Sequence, residues 1–298
     1  MTIDKRRLAQ NFSRAASHYR QHAALQQAVC ERLLERLDLF RLQPTRILDL
    51  GCGTGFAWKG LRRHYPRADI IGLDLAHGML RESRRGRWWR RERLICADAE
   101  RLPLVSGAVD LVFSSLMLQW CAPPDRALAE SLRVLKPGGL LLASSLGPDT
   151  LKELRAAWAA SAGSAGSPPQ GMGQSLPFVD LHDFGDALIR AGFSAPVVDV
   201  EHITLTYPHA PAILRDLHDL GTGDARVERE RGLIGPGRMR AFARAYEQWR
   251  RPDGTLPATY EVVYAHAFGP RPDTRPQDGS TVAAFPFSAL RGRRGIPS

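Results

Sequence analysis

Arg46-Ile47-Leu48-Asp49-Leu50-Gly51-Cys52-Gly53-Thr54-Gly55 is a short apolar run that passes straight into glycines at every second position. Residues 46 to 50 read as a strand, and residues 51 to 55 read as a cradle for a ligand. A glycine has no Cβ, so a turn built from glycines can take positive φ and bring its amides within contact distance of a bound group. Glycines after a strand also serve ordinary tight turns, so the stretch has to be read with its surroundings.

Downstream, Asp69-Ile70-Ile71-Gly72-Leu73 forms a second strand ending in Asp74. That places a carboxylate about 20 to 25 residues beyond the first strand, where a ribose diol would lie. A third strand, Arg93 to Cys96, ends in Ala97-Asp98-Ala99, and a carboxylate there can accept a hydrogen bond from an adenine amino group. Taken singly, an Asp after a strand can equally be a helix cap. Three such tips in the correct order point to a nucleoside. Dinucleotide sites carry G-x-G-x-x-G, whereas here Gly55 comes two residues after Gly53, a pattern that favours S-adenosylmethionine.

The chain has 298 residues, 44% of them hydrophobic, which is enough for one large domain or a domain with a lid. No apolar run reaches the roughly 18 residues that a membrane span requires, and the opening Met1-Thr2-Ile3-Asp4-Lys5-Arg6-Arg7 leads into a polar helix without the core of a signal peptide. A cytoplasmic protein is expected. Cys30, Cys52, Cys96 and Cys121 show no C-x-x-C spacing, so neither a metal site nor a disulfide framework is indicated. The net charge of +10 is concentrated: residues 81 to 93 hold seven arginines against two glutamates, and residues 271 to 298 hold five against two aspartates. Nucleic acid or an acidic protein would be drawn by that field, and a solvated helix face with a disordered tail would show the same composition. Trp88 and Trp89 in the first run could stack on bases or anchor the segment to the core.

Strand-like runs near 46–50, 69–73, 93–96, 109–114 and 139–145 alternate with helical stretches, as in a doubly wound α/β sheet of Rossmann type. Leu111-Val112-Phe113 and Leu140-Leu141-Leu142-Ala143 are apolar on consecutive residues, as strands covered on both faces must be. Lys136-Pro137-Gly138-Gly139 reads as the turn into the fifth strand. Alternation of Ile203, Leu205 and Tyr207 marks a sixth strand, and Tyr260 to Phe268 a seventh. Before the sheet, residues 5 to 40 read as helices, with Phe12, Ala15, Ala16 and Tyr19 on one face and Leu25, Val29, Leu33 and Leu37 on another.

Beyond the fifth strand, Leu181, Phe184, Leu188 and Ile189 are expected to line a helix ending at Gly192. Pro211 and Pro236 suit the first turns of two more. The expected organisation is N-terminal helices over 1–45 covering the cleft and a core over 46–269. Within the core lie a mobile loop at 163–173 and a helical cap at about 208–258, and a disordered basic tail comes after it at 270–298.

The tips over residues 46 to 145 resemble those of class I S-adenosylmethionine-dependent methyltransferases. Asn11-Phe12-Ser13-Arg14-Ala15-Ala16-Ser17-His18-Tyr19, then His22-Ala23 and Leu25-Gln26, is similar to the N-terminal signature of the malonyl-acyl carrier protein O-methyltransferases of biotin synthesis. So are Leu118-Gln119-Trp120-Cys121, Thr150-Leu151-Lys152-Glu153-Leu154-Arg155, and Leu214-Arg215-Asp216-Leu217 with Gly221. Gly147-Pro148-Asp149-Thr150-Leu151, Asp199, Tyr207-Pro208 and Pro257-Ala258-Thr259-Tyr260 also resemble a mitochondrial complex I assembly factor with arginine hydroxylase activity. The N-terminal pattern and Gln119-Trp120-Cys121 favour the biotin enzyme, and a nucleic-acid-binding regulator is the weakest of the three readings.

The favoured resemblance implies a seven-stranded sheet, S-adenosylmethionine as cofactor, no metal, and methyl transfer to the free carboxylate of malonyl-acyl carrier protein. It implies Asp49 beside the methionyl amino group with Gly51, Gly53 and Gly55 giving it room, Asp74 on the ribose, Asp98 and Ala99 at the adenine, and Ser114 and Leu118 near the methionine. Tyr19, Gln26, Gln119 and Trp120 are candidates for closing the pocket or orienting the malonyl group, and Arg215 for holding its distal carboxylate. His18, His182 and His202 are expected to be structural, because a carboxylate nucleophile has no proton to remove. The arginines of residues 81 to 93 are the candidate docking surface for the acidic carrier.

Overall fold

The computed structural model describes residues 3–85, 92–161, 180–222 and 235–271. Arg87, Trp88 and Trp89, the loop at 163–173, residues 223–234 of the expected cap, and the tail after Arg271 lie outside the described residues.

Seven strands form one sheet: β1 (Arg46–Leu50), β2 (Asp69–Asp74), β3 (Arg93–Cys96), β4 (Val109–Ser114), β5 (Leu135–Leu146), β6 (Ser194–Tyr207) and β7 (Leu256–Phe268), in the order β3-β2-β1-β4-β5-β7-β6. The first five are parallel, and β7 runs antiparallel between β5 and β6. The consecutive apolar residues of β1, β4 and β5 are needed because alternate side chains serve opposite faces. Ile47, Leu111, Phe113, Leu140 and Leu142 join Leu25, Val29, Leu33 and Trp58 in one core. Leu48, Leu50, Val112, Leu141 and Ala143 join Phe184 and Leu188 in the other.

Before the sheet come α1 (Lys5–Ala15), a single turn α2 (Tyr19–His22) and α3 (Ala24–Glu35). Asp4 caps α1 by accepting from the Arg7 amide. The crossovers are α4 (Trp58–His64), α5 (His77–Arg84) and α6 (Asp125–Val134), followed by α7 (Lys152–Ser161) and α8 (Leu181–Ala191). Finally α9 (Ala210–Asp219) and α10 (Pro236–Tyr246) fall between β6 and β7, each with proline in its first turn.

Three expectations need correction. Lys136 to Gly139 lies inside β5 rather than before it: Leu135 already pairs with Val109, and pairing resumes at Leu111 with Leu140, so the extra residues bulge out with Gly138 at φ +72°. The sixth strand begins at Ser194, nine residues before the alternation at Ile203 becomes legible. Ala195 at φ +47° and Pro196, which has no amide hydrogen, break the register there and hide the start. Ile189 is 59% exposed, while Phe184, Ala187 and Leu188 carry the buried face of α8.

Candidate functional site in the cleft at the carboxyl ends of the strands

From β1 the chain crosses to β2 on one side, and β4 returns on the other, so the loops leaving β1 and β4 diverge and open a crevice between them. The cleft there encloses about 1010 Å³, its open mouth included, and is lined by Asp49, Gly51, Cys52 and Gly53 from one loop and Ser115, Leu116 and Met117 from the other. Gly51, Gly53 and Gly55 all have positive φ, at +77°, +51° and +77°. Each serves a different end. A Cβ on Gly51 would lie 2.3 Å from Met117 Cγ, and one on Gly55 would lie 2.6 Å from the buried Trp58 ring. A Cβ on Gly53 would meet nothing within 4 Å, because that position faces the open cleft. The loop is held down by the Gly51 and Cys52 amides, which donate to Leu73 O at 2.8 and 3.0 Å, and by the Gly53 amide, which donates to Asp74 Oδ2 at 2.9 Å.

Asp49 is 2% exposed and its Oδ2 has no hydrogen-bond partner. Burial pushes its carboxyl up to about 7; the Trp58 indole opposes the shift without meeting hydrogen-bond geometry, and the Asp74 charge adds to it. Asp74 is also raised by burial, against the pull of the amides of Ala76 and Gly53. Asp98 at the tip of β3 accepts from Lys5 Nζ on both oxygens, at 2.8 and 2.6 Å, and Lys5 also reaches Glu100 at 2.8 Å. Carboxylates at three successive strand tips therefore line one crevice, able to accept from an ammonium, a diol and an amino group in turn.

The opposite wall comes from the N-terminal helices, through Leu8, Ala9 and Phe12 of α1, Tyr19 of α2, and Gln26 and Cys30 of α3. Phe12 stands edge-on to Trp120 at 5.2 Å and to Tyr19 at 6.4 Å, and Tyr19 stacks on Phe56 at 6.1 Å. These rings form an aromatic collar. Burial raises the Tyr19 hydroxyl pKa, with Asp74 adding to the effect, so Tyr19 is neutral. α1 seats tightly on α5, where a Cβ on Gly78 would come within 2.6 Å of the Ser13 backbone and the Gly78 amide donates to Ser13 Oγ at 3.1 Å. Leu116, in the wall, is held at φ +50°, and Gln119 braces it by donating to Leu116 O at 2.7 Å.

Of the residues singled out from sequence, the structure brings Tyr19, Gln26, Asp49, Gly51, Gly53, Asp74, Asp98, Ala99 and Trp120 into this one cleft. Gly55, Ser114, Leu118, Gln119 and Arg215 are not among its lining residues. Gly55 packs on Trp58, Ser114 is turned inward to donate to Leu50 O at 3.0 Å, and Leu118 belongs to the core. Arg215 is exposed on α9. The cleft-lining residues that sequence reasoning missed include Lys5, Cys30, Phe56, Met79 and Ser115. Only Ser115, one residue past a strand end, carried a signal. Among the described residues no group of His, Cys, Asp or Glu is arranged to hold a metal ion, and no helix is long and apolar enough to cross a membrane.

Residues 48–143 match the model of a methyltransferase domain family. The chain is 48% identical to the malonyl-acyl carrier protein O-methyltransferase of Laribacter hongkongensis, covering 95% of this chain and 96% of that one. It is 46% identical to the protein of the same name from Methylovorus sp., over 95% of each. Among solved structures, the YcgJ protein of Bacillus subtilis superposes with a TM-score of 0.56 at 13% identity, over 81% of this chain and 99% of that one, which is a likeness of fold. The chain thus belongs to the malonyl-acyl carrier protein O-methyltransferase family, and its sheet is that of the class I methyltransferases.

Proposed function

We propose that this protein methylates the free carboxylate of a malonyl group carried as a thioester on acyl carrier protein. The observation that carries the reading is the unpartnered Oδ2 of a buried Asp49, in a cleft whose glycine rim leaves open space beside it. Such an oxygen calls for a cationic donor from a ligand. S-adenosylmethionine supplies an ammonium on its amino-acid end and, at its sulfonium, a methyl group activated for transfer. Asp49 would hold the amino group, Asp74 the ribose, and Asp98 with Ala99 the adenine, while Gly51 and Gly53 let the backbone approach.

The acceptor is ionised near neutral pH, since an ordinary carboxyl titrates near pH 4. No general base is needed, and His182 and His202 are half or more exposed and outside the cleft. The protein's task is alignment, which can contribute about 7 to 11 kcal/mol to a bimolecular step. The collar of Phe12, Tyr19, Phe56 and Trp120 would shape the approach and exclude water from it. Esterification removes a charge that would otherwise carry a heavy desolvation cost in the apolar channels of chain-elongating enzymes.

In this reading α1, α2 and α3 cover the cleft, α9 and α10 belong to the cap, and the setting is the cytoplasm. Arg84 and Arg85, exposed at the end of α5, would meet the acidic carrier. Incubation with methyl-labelled S-adenosylmethionine and malonyl-acyl carrier protein tests the reading: a base-labile methyl ester on the malonyl group is expected. Label that stays in the cofactor, or that resists base, would overturn it.

A further inference from the structure

Asp49 is not the only orphan in the cleft. Gln26 Oε1, on α3, is buried and has no hydrogen-bond partner either. Gln26 and Cys30 stand one turn apart on α3 and both line the cleft, Cys30 also joining Leu25, Val29 and Leu33 of the same helix in the core. Gln26 and Cys30 thus line the same cleft as Asp49. Two buried acceptors with nothing to accept are therefore found in the one cleft.

Within the described lining, Lys5 is the sole side chain bearing a fixed positive charge, and it is committed to Asp98 and Glu100 at the tip of β3. β3 lies two strands away from β1, roughly 10 Å across the sheet. Among the described lining residues no cationic donor is therefore left for Gln26 and Asp49, and the neutral Trp58 indole beside Asp49 falls short of hydrogen-bond geometry. An ammonium carries three N–H donors and can serve both oxygens at once, which a hydroxyl or a single amide cannot. A carboxylate ligand would instead be repelled by both.

We propose that Gln26 is a cofactor-positioning residue: its amide oxygen accepts from the α-ammonium of the methionyl end, together with Asp49. Gln26 is thereby assigned to the cofactor rather than to the malonyl group, and α3 becomes part of the cofactor site. The inference rests on the reading of this cleft as the S-adenosylmethionine site.

Calorimetry with S-adenosylhomocysteine and with its deaminated analogue, which keeps the carboxylate and lacks the amino group, tests it. Wild-type protein should prefer S-adenosylhomocysteine, and Gln26→Met should shrink that preference about tenfold while leaving the affinity for the deaminated analogue within twofold. Should Gln26→Met fold poorly, Gln26→Asn withdraws the same oxygen by one methylene, and the same ratio is read. An unchanged preference overturns the proposal. So does an equal loss for both ligands, which would assign the amide to the carboxylate or to packing. Failure of wild-type protein to bind either compound would strike the cofactor reading itself, a distinguishable result.

Discussion

Replacing Asp49 with asparagine separates what the carboxylate costs the fold from what it does for a ligand. Burial lifts this group from 3.8 to about 7, which corresponds to about 4 kcal/mol of disfavoured ionisation. The folded chain holds the proton more tightly than the unfolded chain, so stability is greatest on the acid side, falls as pH rises from about 4 to about 7, and is level above that. Asparagine removes the charge but leaves a buried amide, whose own unmet hydrogen bonds cost about 1 to 3 kcal/mol. The net expectation is that Asp49→Asn is more stable than the parent by about 1 to 3 kcal/mol at pH 8, and that the difference shrinks towards pH 5 and reverses below it, to about 1 to 3 kcal/mol in the parent's favour once the carboxyl is protonated.

Binding should move the opposite way. The parent should take up S-adenosylhomocysteine with release of nearly one proton at pH 6 and with affinity falling up to tenfold per pH unit below 7, while the variant should bind at least 100-fold more weakly and without that proton. Urea unfolding at several pH values, and calorimetry in two buffers of different ionisation heat, read both quantities. A variant that is less stable than the parent at pH 8, or that binds with the parent's pH profile, would refute the reasoning.

Gly53→Val should abolish measurable cofactor binding while the protein remains folded, at a cost of about 1 to 2 kcal/mol for a side chain at positive φ; near-normal affinity by calorimetry would reject the loop's role. Gly55→Ala should do the reverse, losing about 2 to 4 kcal/mol in urea unfolding because its Cβ meets the buried Trp58 ring. Whatever variant protein is folded should bind normally. Arg84→Glu with Arg85→Glu should lower kcat/KM for carrier-bound malonate several-fold at low salt, with the difference shrinking at high salt. Equal rates at low ionic strength would remove that face from consideration.

The sheet and its cofactor rim were legible because their causes are local. Glycines at positive φ, apolar runs covered on two sides, and carboxylates at or within two residues of a strand's end all leave marks in a linear sequence. The far wall was harder to read. Leu8, Phe12, Met79 and Cys30 line the cleft with the same residue types that fill a core, and only tertiary packing decides which way each points. Ser114 and Ser115 show how narrow the margin is: successive residues at a strand end face opposite sides, so Ser114 turns into the core and Ser115 toward the cleft. Gln119 sits in a telling motif, yet its amide is spent on Leu116 O, a bond no spacing rule foretells. Lys5 finds Asp98 across 93 residues of chain.

β7 lies between β5 and β6, although it is the last of the described strands to be synthesised. While a ribosome is still making residues 147 to 255, β5 has an open hydrogen-bonding edge, and β6, once made, has no neighbour to join. The nascent chain therefore carries an apolar edge, Leu140 to Ala143 among it, until the final hairpin-like insertion closes the sheet. Premature termination between Tyr207 and Leu256 would release a product with β5 and β6 both unmatched, a substrate for chaperones and proteases rather than a smaller working enzyme.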